Sequence, residues 1–216
     1  MTGTPGSAGL RRLEIAGPRF PGWLERLVAD HPGAQVLVDG PLTRVDWPGG
    51  SAVCEAFGHD PLAVLLVRRG GYAVGLAHGD ALVAAKTGRR HVQGRTAAGG
   101  WSQQRFARRR EGQADALVEA VAGHALRILV REPRAGGRDR AGVGGIPAGL
   151  VLAGDRRLAA AVLAEPGLQA LRELSRRELY DLPDPDARVL ATAVQRARAV
   201  RVAIDDPHGP DPVRWR

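Results

Sequence analysis

Apolar and polar positions first separate into a short helix followed by a run of strands. Trp23, Leu24, Leu27 and Val28 recur at helical spacing and predict an amphipathic helix over Arg19–His31. Gln35–Val38 and Leu42–Trp47 then alternate as strands around the turn pair Asp39-Gly40. Pro48-Gly49-Gly50 is expected to end this helix-plus-hairpin unit, which is assigned to residues 10–57. A continuous apolar run, Leu62–Val67, opens a meander that continues through Tyr72–Ala77 and Ala81–Lys86, with a fourth strand expected to start at Arg89–Val92. Arg68–Gly71 and His78-Gly79-Asp80 supply the turns.

The period then changes. Ser102 suits a helix N-cap, and Phe106, Leu117, Val118, Val121 and Ala125 fall close to one face, so a helix is expected from Ser102 to about Gly123. Leu126–Val130 is expected as a strand, and residues 131–145 as a mobile basic loop without apolar pattern. Beyond it come a buried strand at Gly149–Ala153, helices at Asp155–Leu163 and Leu168–Leu174, a strand at Glu178–Leu182 and a last helix at Asp186–Val202. Strand and helix alternate, which predicts an α/β domain over 58–205 with an α+β appendage before it. Residues 1–9 and 206–216 are expected to be irregular tails.

Composition narrows the class. The chain has 216 residues, 44% apolar and 25% charged, which is ordinary for a globular protein with a buried core. No apolar run is long enough for a membrane span, and a single cysteine, Cys54, gives no disulfide framework. A cytoplasmic protein without membrane partners is therefore expected. The six histidines show no metal-ligand spacing, and no glycine-rich stretch has the strand context of a phosphate loop. Neither a metal nor a nucleotide cofactor is expected. A nuclease reading lacks clustered carboxylates, and none of the four serines sits in a nucleophile elbow.

Charge changes the picture most. The formal net charge is +8, and Lys86 is the one lysine among 31 basic residues. From Lys86 to Arg110 there are eight basic residues (Lys86, Arg89, Arg90, Arg95, Arg105, Arg108, Arg109 and Arg110) and no acid. A single-sign patch of this density is the footprint of a polyanion site, and arginine forks suit phosphate. His91 lies within the same run as a further RNA contact, and Trp101 is a candidate to stack on a base.

Inside this run the sequence reads Gly99-Gly100-Trp101-Ser102-Gln103-Gln104-Arg105-Phe106-Ala107-Arg108-Arg109-Arg110. It resembles the central domain of eukaryotic and archaeal peptide-chain release factors, which carries Gly-Gly-Gln, then Ser, two residues, Arg-Phe-Ala-Arg, one residue and Arg. Ala148–Gly154 resembles the strand and turn before that domain's next helix, and the order of elements agrees from about Pro61 to Ile204. Trp101 stands where the family has its catalytic glutamine. The Vms-like branch departs in the same way, and its bacterial members resemble Gly-x-Ser-x-Gln-Arg, which here is Gly100 to Arg105.

The resemblance implies a release-factor central-domain fold with a basic catalytic loop. The implied activity is metal-independent, stop-codon-independent hydrolysis of peptidyl-tRNA on stalled ribosomes or large subunits. Its partners would be large-subunit ribosomal RNA and peptidyl-tRNA, with a monomer expected off the ribosome. A glutamine amide has no useful pKa near neutrality, so its role would be to orient water. Gln104 or Gln103 is expected to take it, with Gly99, Gly100 and Ser102 shaping the loop, and the Gly-x-Ser-x-Gln-Arg pattern leans to Gln104. The alternative is a rescue factor that binds RNA or ribosome without chemistry. Residues 10–57 carry no motif, and the chain has no candidate for a codon-reading domain.

Overall fold

The computed structural model describes residues 10–89, 102–130 and 146–206; the side chains of residues 102–111 are outside that description. The expected tails at 1–9 and from 207 onward, the basic loop 131–145 and the strand extension beyond Arg89 fall outside the described residues. The fold is mixed α/β, and the described residues form two five-stranded sheets and five α-helices. The described chain divides into two compact units, one joining residues up to Gly58 with those from Arg198, the other spanning His59–Ala197.

The second unit is built on a mixed sheet. Its strands are β5 (Leu62–Arg68), β6 (Gly71–His78), β7 (Ala81–Arg89), β8 (Gly149–Gly154) and β9 (Ser175–Leu179), in the order β7-β6-β5-β8-β9. The β5–β6–β7 meander is antiparallel, while β8 pairs in parallel with β5 and β9 in parallel with β8. β5 and β8 read as unbroken apolar runs because both faces of the sheet are covered. On one face Leu65, Val74, Leu76 and Leu152 join Leu117 and Val121 of α2 (Ser102–Ala125) and Leu158 and Val162 of α3 (Arg156–Ala164) in one core. On the other, Leu190 of α5 (Ala187–Arg198) reaches Gly75 of β6.

Turn chemistry locks the parallel pair. Gly154 ends β8 at a φ of +90°, and a Cβ there would sit 2.2 Å from the Val67 carbonyl oxygen. Only glycine fits this approach. The next residue, Asp155, donates its N–H to that oxygen at 2.7 Å. Its carboxylate then accepts from the N–H groups of Arg157 and Leu158, which caps α3. Asp186 likewise caps α5, its carboxylate accepting from Val189 N at 2.7 Å.

Several expectations change in this unit. Leu126–Val130 is a π-turn continuing α2, not a strand. Its β-branched composition suggested extension, but burying Leu129 in the α2 core keeps it helical. The expected strand at 178–182 lies earlier, at Ser175–Leu179, with Arg177 at an inward position and residues 180–182 outside it. That guanidinium is 1% exposed and donates to the Ala197 carbonyl at the end of α5, 2.9 Å away. The helix expected over 168–174 shortens to α4 (Gln169–Arg172) after a 3-10 turn at Pro166–Leu168.

The first unit is also a five-stranded sheet. Its strands are β1 (Leu10–Ile15), β2 (Gln35–Asp39), β3 (Leu42–Trp47), β4 (Gly50–Glu55) and β10 (Val200–Asp205), in the order β1-β10-β4-β3-β2 and antiparallel throughout. The helix α1 (Phe20–Asp30) and the two expected strands form as anticipated. Pro48-Gly49-Gly50 does not end the unit: Gly49 turns the chain at a φ of +96° and β4 pairs back on β3. The last expected helix stops at Arg198, and the residues after it form β10 between β1 and β4. Val200, Val202 and Ile204 alternate with Arg201, Ala203 and Asp205, and this period-2 pattern buries them with Val45, Trp47, Ala52 and Cys54 under α1.

Candidate functional site

The basic motif lies on the connection between β7 and α2. β7 runs to Arg89, with Lys86 and Arg89 both exposed. Ser102 is the first residue of α2, so Ser102, Gln103, Gln104 and Arg105 occupy its first turns, and Arg108, Arg109 and Arg110 follow on the same helix. Arg90, His91, Arg95, Gly99, Gly100 and Trp101 lie outside the described residues, as do the side chains of Ser102 to Arg110. The structure therefore positions the two elements that bracket the motif.

What holds those elements is a polar chain. Tyr72 on β6 stands opposite Gly88 on β7, and a Cβ on Gly88 would meet the tyrosine ring at 2.5 Å. That bare glycine leaves the Tyr72 hydroxyl free to reach His124 Nε2 at 2.7 Å, with the two rings stacked 5.1 Å apart. Arg127 Nη2 lies 2.7 Å from His124 Nδ1. Because a guanidinium only donates, Nδ1 must accept, and the imidazole proton sits on Nε2 facing Tyr72. Burial, then Arg127 and Lys86, push the His124 pKa down from its ordinary value, so the ring is neutral near pH 7. The end of α2 is thereby tied to the strands that launch residues 90–101.

Sequence reasoning gave His124 and Tyr72 no role. They lie 52 residues apart, and neither belongs to a local motif. The signal that could have pointed there is Gly88, a glycine inside a strand, which marks close approach of another group. Among the described residues no three metal-ligating side chains come together. None of the described helices is long and apolar enough to cross a membrane.

The family described as Actinobacteria/chloroflexi VLRF1 release factor matches residues 60–203. The match covers two thirds of the chain and takes in both bracketing elements. The chain belongs to this family. Among curated proteins none matches it. As a VLRF1 release factor, the protein acts in translation, with a ribosome-related release function. The match begins beside β5 and ends within β10, so it leaves out β1–β4 and α1, where the sequence carries no motif.

Proposed function

We propose that this VLRF1 release factor hydrolyses the ester joining a nascent peptide to tRNA, on stalled ribosomes or large subunits and without reading a stop codon. The observation that supports this reading is the sequence motif Gly99 to Arg105, whose Ser102 is the first residue of α2, inside the region matched by the family and amid eight cations without an acid. The ester lies within ribosomal RNA, so a loop that reaches it must cross a dense phosphate field. Glycines give it a slim backbone, and arginines offset the phosphates. Trp101 stacks on a base.

In this mechanism Gln104, with Gln103 beside it, orients the attacking water and excludes others. The N–H groups of the first turn of α2 have no helical acceptor of their own and face the oxyanion that develops on the carbonyl oxygen as water attacks the carbon. One proton of the attacking water passes to the leaving oxygen of the tRNA terminal ribose, which departs as an alcohol, and the other passes to solvent as the peptide departs as a carboxylate. No side chain has to change its charge during the step.

One residue favours a second reading. Trp101 replaces the glutamine of the wider release-factor pattern, and a chain that kept the cations without hydrolysis would still bind the ribosome as a rescue factor. Release of labelled peptide from peptidyl-tRNA separates the two. Gln104→Ala is expected to slow release about 100-fold, the scale of losing one positioned polar group, with ribosome binding kept. Wild-type release rates in both single variants, Gln103→Ala and Gln104→Ala, would overturn the assignment.

A further inference from the structure

Among the described residues, the sheet of the first unit ends on an edge with no further strand. β2 is its outermost strand, with β3 its one neighbour among the described residues. All five of its residues are exposed, and Val36, Leu37 and Val38 keep 45%, 65% and 67% of their surface. Soluble proteins usually blunt such an edge with lysine, proline or a bulge. Gln35-Val36-Leu37-Val38-Asp39 has no lysine and no proline, and it pairs with β3 in unbroken register.

The hairpin dictates which groups are offered. Asp39 and Leu42 flank the two-residue turn Gly40-Pro41. In such a hairpin the flanking residues exchange hydrogen bonds, and every second pair does likewise. Val36 and Val38 therefore direct their backbone N–H and C=O groups outward. Val36 stands opposite Val45, a core residue, so it and Val38 lie on the α1 side of the sheet and Leu37 on the other. An added strand would meet apolar side chains on both faces.

Charge selects the occupant. The chain carries a net +8, yet from Leu27 to Thr43 there is no lysine or arginine and there are two acids, Asp30 and Asp39. The next cation, Arg44, is tied to Asp46 at 2.7 Å. A nucleic-acid backbone finds no counter-charge here. A second copy of β2, paired antiparallel, would set Gln35 against Asp39 and offer neither aspartate a cation. Five residue pairs also fall well short of the surface a stable dimer buries. We propose that β2 is a strand-addition site for an extended polypeptide segment of β-branched apolar residues flanked by lysine or arginine. Main-chain hydrogen bonds would supply the affinity, and Val36, Leu37, Val38 and Asp39 the preference.

The probe is a fluorescein-labelled octapeptide, Lys-Thr-Val-Ile-Val-Thr-Arg-Lys, titrated into the full chain. Two controls accompany it, one with glutamate at each basic position and one N-methylated at every residue. The basic peptide is expected to saturate, the acidic one to bind at least about tenfold more weakly, and the methylated one not to bind. Val38→Pro removes an outward N–H without touching the β3 ladder, and it is expected to abolish binding at an unchanged melting temperature. Should that variant misfold, Leu37→Lys is expected to weaken the basic peptide at least about tenfold through charge repulsion and lost apolar contact. No saturation, equal affinity for the acidic peptide, or binding that survives N-methylation overturns the proposal. So does a concentration-dependent dimer that Val38→Pro dissolves.

Discussion

The two sheets have the same number of strands and are built on different principles. In the second unit β5, β6 and β8 are buried on both faces, and helices cover each side. In the first unit the strands alternate: Val45, Cys54, Val202 and Ile204 turn toward α1, while Arg44, Glu55 and Arg201 stand on the opposite face. No residue of α1 is fully buried. The doubly covered sheet carries the larger core, and most of the family match, with its basic motif, falls in that unit. Within its own unit the other sheet packs its described core against α1 alone, and among the described residues β2 has β3 as its one strand neighbour, which suits docking better than positioning a reaction.

The largest effect that would break this contrast is expected at Gly154. Gly154→Ala drives a methyl group into the Val67 carbonyl at a φ that disfavours side chains, and should cost several kcal/mol or prevent folding. Measurement by urea denaturation checks it. Next, Leu65→Ala in the doubly covered sheet should cost about 3 kcal/mol, whereas Leu37→Ser on the open edge should stay within about 0.5 kcal/mol. Equal losses at the two positions would end the distinction. Arg177→Met should cost about 2 kcal/mol by orphaning the buried Ala197 carbonyl.

A thiol probe sharpens the comparison from the other side. Burial pushes Cys54 up to about 11, so alkylation at pH 8 should be negligible in the folded chain. Because its sheet is covered on one face, Cys54 should become reactive at lower urea than global unfolding of the second unit, read by hydrogen exchange at β5.

The smallest effect is a pH dependence at His124. Its folded value lies below its unfolded value, so the unfolded chain takes up the proton first. Stability is therefore fully present above about pH 6.5 and declines as pH falls through that value. The melting temperature of His124→Gln should lie below wild type at pH 7.5, and the gap should narrow by pH 5.5.

Much of the second unit was legible in the sequence because its signals are local. Unbroken apolar runs gave β5 and β8, and the helices expected from Asp155 and Asp186 begin one residue later as α3 and α5. The first unit was half legible. β1 reads Leu-Arg-Arg-Leu-Glu-Ile without regular alternation, none of its residues is fully buried, and its partner β10 comes nearly 190 residues later, so neither pattern nor neighbourhood marks it. β4 was hidden by Pro48-Gly49-Gly50, which marks a tight turn as readily as a stop. β10 continued an apolar pattern that α5 shares, and only the helix end at Arg198 separates them. At the candidate site the motif was legible from residues alone. The Tyr72–His124 tie was not, since a contact between distant residues leaves no periodicity.

Electrostatics offers an intermediate test. Arg89→Ala and Arg105→Ala should each weaken binding to the large subunit and lower the log–log salt slope by about one. The central claim is tested most directly by release of a labelled peptide from peptidyl-tRNA on purified large subunits, comparing wild type with Gln103→Ala/Gln104→Ala. Release by wild type and none by the double variant, with both still bound, is the predicted result. Binding without release by either protein would contradict hydrolysis and leave a ribosome-binding factor in which Trp101 marks lost chemistry.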